Sequence, residues 1–188
     1  MLSMRPDPEI RVQEITIPAG RRRIPALVLS PKETPVLATG MLWIHGGGYI
    51  LGMKEMVHMS RAVDLVKKFG AVVVSPGYRL ALAAPYPAAL DDCYAALLYM
   101  KSHAAGLGIR VDQIMVDGEP FYAETVRYIE NLKKCGIPAS VDVYHSDMHA
   151  FDMMQPDTPL SREAARRFNE QFAYAQTHYF APQGESER

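Results

Sequence analysis

Met41-Leu42-Trp43-Ile44-His45-Gly46-Gly47-Gly48-Tyr49 sets the architecture. Its first four residues are apolar without alternation, the pattern of a strand buried on both faces of a parallel sheet. Three glycines directly after such a strand raise the entropic cost of folding. Their use is to bring backbone close to a ligand and turn N–H groups toward one point. That suits an oxyanion, because fixed donors stabilise charge that develops in a transition state. A plain Gly-rich turn and a phosphate cradle are the alternatives. A dinucleotide fingerprint needs G-x-G-x-x-G opening a helix and a P-loop needs G-K-[ST], and neither follows here.

Ala71-Val72-Val73-Val74 repeats the buried-strand pattern, with Ile114-Met115-Val116 and Val141-Asp142-Val143-Tyr144 as weaker examples. Upstream, Val12 to Ile17 alternates apolar with polar and stops at Pro18-Ala19-Gly20, with Ile24 to Leu29 as its hairpin partner. Arg21, Arg22 and Arg23 lie in the turn, either solvated or contacting an anion or a partner. Helical spacing joins Met56, Met59, Val63, Val66 and Phe69, ending at Gly70. It joins Leu90, Tyr94, Leu97 and Met100, and then Phe121, Val126, Ile129 and Leu132 before Gly136. A last helix runs from Ser161, a good N-cap, through Ala164, Phe168, Phe172 and Ala175. The Met-rich faces read as gap-filling core before they read as a ligand groove.

An antiparallel start followed by strand–helix alternation predicts an α/β layer fold with a mostly parallel sheet. Ligands of such sheets bind outside the carboxyl ends of the strands, so chemistry is expected just after Ile44, Val74, Val116 and Tyr144. One domain over residues 1–180 is expected, with a disordered tail at 181–188.

The chain has 188 residues, 48% of them apolar, and a formal charge of −1. That suffices for one sizeable core. Without a basic excess there is no electrostatic footprint for nucleic acid or an anionic bilayer. No apolar run approaches the ~20 residues that span a membrane, and the N-terminal segment lacks the apolar core of a secretory signal. Cys93 and Cys135 make no disulfide framework, so a reducing cytoplasm is the expectation.

The motifs taken together resemble the hormone-sensitive-lipase-like branch of the α/β-hydrolases. His45 to Tyr49 resembles its oxyanion loop. Gly77-Tyr78-Arg79-Leu80-Ala81 with Pro85-Tyr86-Pro87-Ala88-Ala89-Leu90-Asp91-Asp92 resembles its D-Y-R-L-A-P-E…P-F-P-A-A segment, with Gly77 in place of Asp and Leu82-Ala83 in place of Pro-Glu. Asp117-Gly118-Glu119-Pro120-Phe121 resembles the stretch that carries the catalytic acid. Met148-His149-Ala150-Phe151-Asp152 resembles the one that carries the catalytic His. The resemblance runs in order from Val12 to Asp152. It implies an α/β-hydrolase-like three-layer sandwich, small acyl esters as substrates, and no cofactor or metal. It also implies an oxyanion hole at Gly46, Gly47 and Gly48, with Glu119 and His149 as acid and base. Asp117 is the alternative acid, and Tyr49 and Tyr78 are candidate substrate-binding residues. His145 and His149, four apart on one loop, make a poor zinc pair.

The G-x-S-x-G elbow, a sharp strand-to-helix turn that exposes the nucleophilic serine, is absent. Val116 runs directly into the acid segment. Ser75 is followed by Pro76, which has no N–H to give an oxyanion. Ser146 lacks both elbow and helix, and neither Cys93 nor Cys135 sits in an activating turn. Fusing the strand at Gln113–Val116 with a later one predicts a shortened sheet of about six strands, with Ala139–Tyr144 beside the hybrid strand. An exposed apolar edge would then invite pairing into a homo-oligomer. Three functions remain open. They are an esterase fold without its nucleophile, an esterase working by another route (water activated by Glu119–His149, or a serine from a partner chain), and a non-catalytic relative that binds an ester or carboxylate.

Overall fold

A computed structural model describes residues 4–33, 37–118, 122–136, 139–148 and 150–179. The alternating segments at the N-terminus form a hairpin, β1 (Ile10–Ala19) against β2 (Arg22–Pro31), closed at Gly20 with φ +63°. The continuous apolar runs form β3 (Ala38–Ile44) and β4 (Val72–Pro76), and β5 spans Ile109–Gly118. The sheet order is β1-β2-β4-β3-β5. β4 and β5 both pair in parallel with β3, and the first two pairings are antiparallel.

The helices are α1 (Ala62–Phe69), α2 (Ala88–Ser102), α3 (Ala104–Leu107), α4 (Tyr122–Lys134), α5 (Phe151–Met154) and α6 (Pro159–His178). The connections β3–β4 and β4–β5 run in opposite directions across the sheet. Crossovers of one hand must therefore lie on opposite faces. Leu29, Met41, Trp43 and Val73 pack on Leu65 and Val66 of α1 and Phe172 of α6. Val28, Leu42, Val72 and Val74 face the other way, onto Ala96 and Met100 of α2. The result is a three-layer α/β sandwich.

Several expectations change in detail. The sheet has five strands among the described residues and is mixed, with two of its four pairings antiparallel. Val141–Tyr144 joins no ladder, and Val141 and Val143 are exposed. Alternation makes a strand only beside a neighbour with free backbone groups and an apolar face to share. Here Tyr144 instead stands against Phe151 at 6.0 Å between ring centroids. The expected long helix over Met56–Phe69 divides into a 3-10 turn at Lys54–Met59 and α1. Ser60 makes the break, its hydroxyl donating to the Val57 carbonyl and accepting from the Ala62 N–H. On α2 the expected stripe holds at Leu97 and Met100, which pack in the core, but Leu90 and Tyr94 are exposed while Ala88, Asp92 and Ala96 are buried. Small residues let the helix approach the sheet closely. The cap of α6 is Thr158, whose hydroxyl accepts from the Ser161 N–H at 3.2 Å.

Two buried polar groups tie the layers. Gln113 of β5 accepts from Thr39 at 2.6 Å and donates to the Gln176 carbonyl at 2.8 Å, and the Gln176 amide returns to Thr39 at 2.9 Å. Asp92, 1% exposed, accepts from the Arg79 N–H, Nε and Nη2 and from Arg22. One residue of the arginine turn is thus anchored to α2, and its neighbours Arg21 and Arg23 are exposed. The tail at 181–188 lies outside the described residues. Among those described, no helix is long and apolar enough to cross a membrane.

Candidate active site

β3 delivers the chain to the glycine loop at its carboxyl end. His45 is 2% exposed, its ring stacked on Tyr78 at 4.0 Å and its Nδ1 2.9 Å from the Gly46 carbonyl. Burial pulls the imidazole below its ordinary value, against the opposing pull of that carbonyl. A neutral ring bonded to a carbonyl through Nδ1 carries its proton there. The buried Nε2 has no hydrogen-bond partner among the described residues.

Beyond His45 the backbone turns in the left-handed region, with φ +113° at Gly47, +61° at Gly48, +63° at Tyr49 and +115° at Gly52. The Gly47 carbonyl accepts from the Ile50 and Leu51 N–H groups, both at 3.1 Å. A Cβ at Gly47 would stand 2.3 Å from the Leu51 oxygen, and one at Gly52 2.2 Å from His45 Nδ1. Glycine is obligatory at both. The Tyr78 hydroxyl donates to the His45 carbonyl at 2.6 Å, and the Ala81 N–H to the Tyr49 carbonyl at 2.7 Å. The Tyr78–Ala81 stretch therefore braces the loop from behind. Tyr78 itself is 5% exposed, and Tyr49 is half exposed.

Gly46 and Gly47 open onto a cleft of about 750 Å³ at the carboxyl ends of β3 and β5. Trp43, Met56, Phe151 and Phe168 give it apolar walls, and Arg61, Asp117 and Asp152 are charged groups on it. Ile44, Gly118 and Tyr144 also line it, beside three of the four positions singled out from the pattern. Gly48, Tyr49 and Tyr78 do not. Arg61 Nε donates to Asp152 Oδ2 at 2.9 Å, and its Nη2 to the Ser161 carbonyl at 3.4 Å.

Asp117 stands beside Trp43 in the β3–β5 ladder and on the same face as Met115, which packs under α1 and α6. Burial, opposed by the Gly118 N–H and by Arg61, pushes its carboxyl up to about 6. A carboxyl titrating near neutrality inside a cleft marks a functional site in many enzymes. The sequence offered Asp117 only as a substitute acid. Its partners Arg61 and Asp152 were missed, because they lie 91 residues apart and meet only in the folded chain.

Glu119 and His149 lie outside the described residues. Gly118, which precedes the first, and Ala150, which follows the second, both line the cleft. Ala150 has φ +53°, a left-handed conformation that costs an L-residue ~1–2 kcal/mol. Ser75 is fully buried and donates to the Lys54 carbonyl at 2.9 Å. Ser146 is exposed and accepts from the Met148 N–H. Cys93 is buried, and that burial lifts its thiol to about 12, where it is inert at neutral pH. Cys135 is exposed and free. No three metal-ligating side chains gather among the described residues.

A profile of the family described as alpha/beta hydrolase fold matches residues 41–119. The chain is similar to carboxylesterase NlhH of Mycobacterium tuberculosis, 37% identical over 116 residues, 60% of this chain and 35% of that protein. An AB hydrolase superfamily protein of Schizosaccharomyces pombe is 36% identical over 112 residues, 56% of this chain and 33% of the relative. The chain spans about a third of the length of these relatives. Its fold is similar to that of the hyperthermophilic esterase from the archaeon Pyrobaculum calidifontis. The TM-score is 0.78 at 20% identity, covering 92% of this chain and 86% of that one. By the matched segment, the strand order and the glycine loop at the end of β3, the chain has the α/β-hydrolase fold, and carboxylesterase NlhH is among the proteins it is similar to.

Proposed function

We propose that the cleft binds a small carboxylic ester or carboxylate, its carbonyl oxygen directed to the amides of Gly46 and Gly47. We further propose that the chain has little or no triad esterase activity, because no serine occupies a G-x-S-x-G elbow. The observation that carries the reading is the convergence of the glycine loop, Gly118 and Ala150 on one cleft. It brings the neighbours of the implied acid and base to the place where an oxyanion would form. An acid–imidazole pair orients and strengthens a base but supplies no covalent nucleophile. What remains without the serine is the contribution of binding and the oxyanion donors, ~10³–10⁴ over water. The similarity to a protein named a carboxylesterase supports the substrate class. No cofactor enters this reading, and the two free thiols support a reducing, cytoplasmic setting.

The test is binding and turnover of 4-nitrophenyl acetate. Saturable binding with slow turnover and no acetylated protein by mass spectrometry is expected. A serine-directed phosphonate that forms a covalent adduct at stoichiometric yield sinks the reading.

A second reading, a relative that pairs with another copy of itself, is favoured by β5. Among the described residues this strand pairs with β3 alone, and it leaves Val111 and Val116 about half exposed. Unpaired edges with apolar side chains invite strand addition. A monodisperse monomer by light scattering at high concentration counts against it.

A further inference from the structure

Asp117 is the one acidic side chain that β5 itself places on the cleft. It stands level with Trp43, one residue before the end of the β3–β5 ladder. Gly46 and Gly47 line the same cleft from the end of β3. In open α/β sheets this is where adjacent strand ends bring reacting groups together. With Glu119 as the acid, the triad scheme leaves this carboxyl unused.

We propose that Asp117 is a general base that activates water for direct attack on a carbonyl held at the Gly46–Gly47 loop, so that esters are hydrolysed without an acyl-enzyme. The proposal rests on the reading of the cleft as an ester site. The water oxygen bonds to the carbonyl carbon while Asp117 accepts the water proton, and the carbonyl electron pair moves onto oxygen beside the loop amides. Collapse restores the carbonyl and breaks the bond to the alcohol oxygen, which takes the proton back from Asp117. One ester and one water give one acid and one alcohol, and the carboxyl is regenerated.

The surroundings suit that role. Burial keeps the carboxyl basic enough to accept a proton from water near neutral pH, where base catalysis is most effective. Arg61 comes from the start of α1, but Asp152 of α5 and the Ser161 carbonyl occupy its donors, so its charge is shared rather than spent on Asp117. Asp152 acts in the opposite sense, holding the proton on. Asp142 and Tyr144 line the cleft beside these groups, with Glu163 and Arg167 of α6 acting on Tyr144.

The test follows hydrolysis of 4-nitrophenyl acetate by the full chain between pH 4.5 and 8.5, with binding of the carbon isostere 4-nitrophenylacetone measured alongside. The rate is expected to rise through an inflection near pH 6, with no burst of nitrophenol and no acetylated protein. Asp117→Asn is expected to lower the rate by a factor on the order of 100 or more and abolish the inflection, while the isostere still binds. Asp91→Asn, on the exposed side of α2, leaves rate and profile unchanged. Wild-type rates in Asp117→Asn, or an acetylated intermediate, overturn the proposal. His149→Ala losing the rate while Asp117→Asn keeps it assigns the base to the imidazole instead. If the isostere binds but the wild type shows no turnover above buffer, Asp117 is not a base and the ester-site reading stands. If the isostere does not bind, both fall together.

Discussion

Replacing Gly47 with alanine tests whether the loop's shape is what holds a ligand. At φ +113° an L-residue is strained, and the new Cβ would sit 2.3 Å from the Leu51 oxygen and 2.7 Å from its carbon. Carbon contacts begin at about 3.5 Å, so backbone and not a rotamer must move. The two N–H bonds to the Gly47 carbonyl that close the turn are lost as it opens, each worth ~1 kcal/mol. Restoring the loop around a ligand then costs about 3 kcal/mol, which weakens binding by roughly 100-fold. Gly48→Ala is the control, because its Cβ meets nothing within 4 Å at φ +61°. It suffers only the ~1 kcal/mol of left-handed strain, less than a tenfold loss. Tyr49, Ile50 and Leu51 are at least half exposed, so neither change should move the unfolding temperature much. Calorimetric titration with 4-nitrophenylacetone gives the numbers. If Gly47→Ala binds it as well as Gly48→Ala does, the loop's conformation is not what the ligand recognises.

The half-buried Asp117 carboxyl gives a pH signature of its own. Asp117 holds its proton up to about pH 6 when folded but releases it near 3.8 when unfolded, so native stability declines as pH rises through that window. Asp117→Asn removes the penalty, and its advantage should grow from pH 4 to 6 and level off at no more than about 3 kcal/mol, read as the difference in urea midpoints. A flat difference refutes it. Asp92→Asn strips the charge shared by Arg22 and Arg79; because those guanidiniums are 40% and 35% exposed and can rehydrate, the loss should be about 2–3 kcal/mol, below that of a sealed pair. A loss under 1 kcal/mol in urea unfolding shows that the hub is not needed. Gln113→Leu leaves Thr39 and the Gln176 carbonyl short of a partner, and should cost ~2 kcal/mol while speeding amide exchange at the end of α6. Exchange that stays slow there means α6 is held by Phe172 alone. For Ala150, glycine should leave stability equal or up to ~1 kcal/mol higher, and valine should lower it by roughly 2. Scanning calorimetry in which the two variants behave alike contradicts the left-handed geometry.

Much of the architecture was legible in local pattern. The hairpin, the buried strands β3 and β4, and the last helix follow from spacing, because a side chain's face is fixed by its own backbone period. The glycine loop was legible too, since three consecutive glycines after a buried strand have no cheap structural use. The free cysteines likewise followed from their number and setting. The site's acid and base were named by motif alone, and they lie outside the described residues.

Other features depended on distant groups meeting. Val141–Tyr144 has the alternation of a strand, but whether it comes to lie along the free edge of β5 is something no local pattern encodes. The first half of the buried stripe of α2 was misread because hydrophobicity favoured Leu90 and Tyr94, whereas close approach to the sheet selected alanine and a carboxylate answered by two arginines. Arg22 looked like any residue in a basic turn until α2 brought Asp92 to it. Asp117 became a half-buried carboxyl with a raised pKa because the fold brings β3 beside it and Arg61 and Asp152 near it. Desolvation and ion pairing fall off within a few ångströms. They are therefore set by whichever residues the fold brings close, however far apart those lie along the chain.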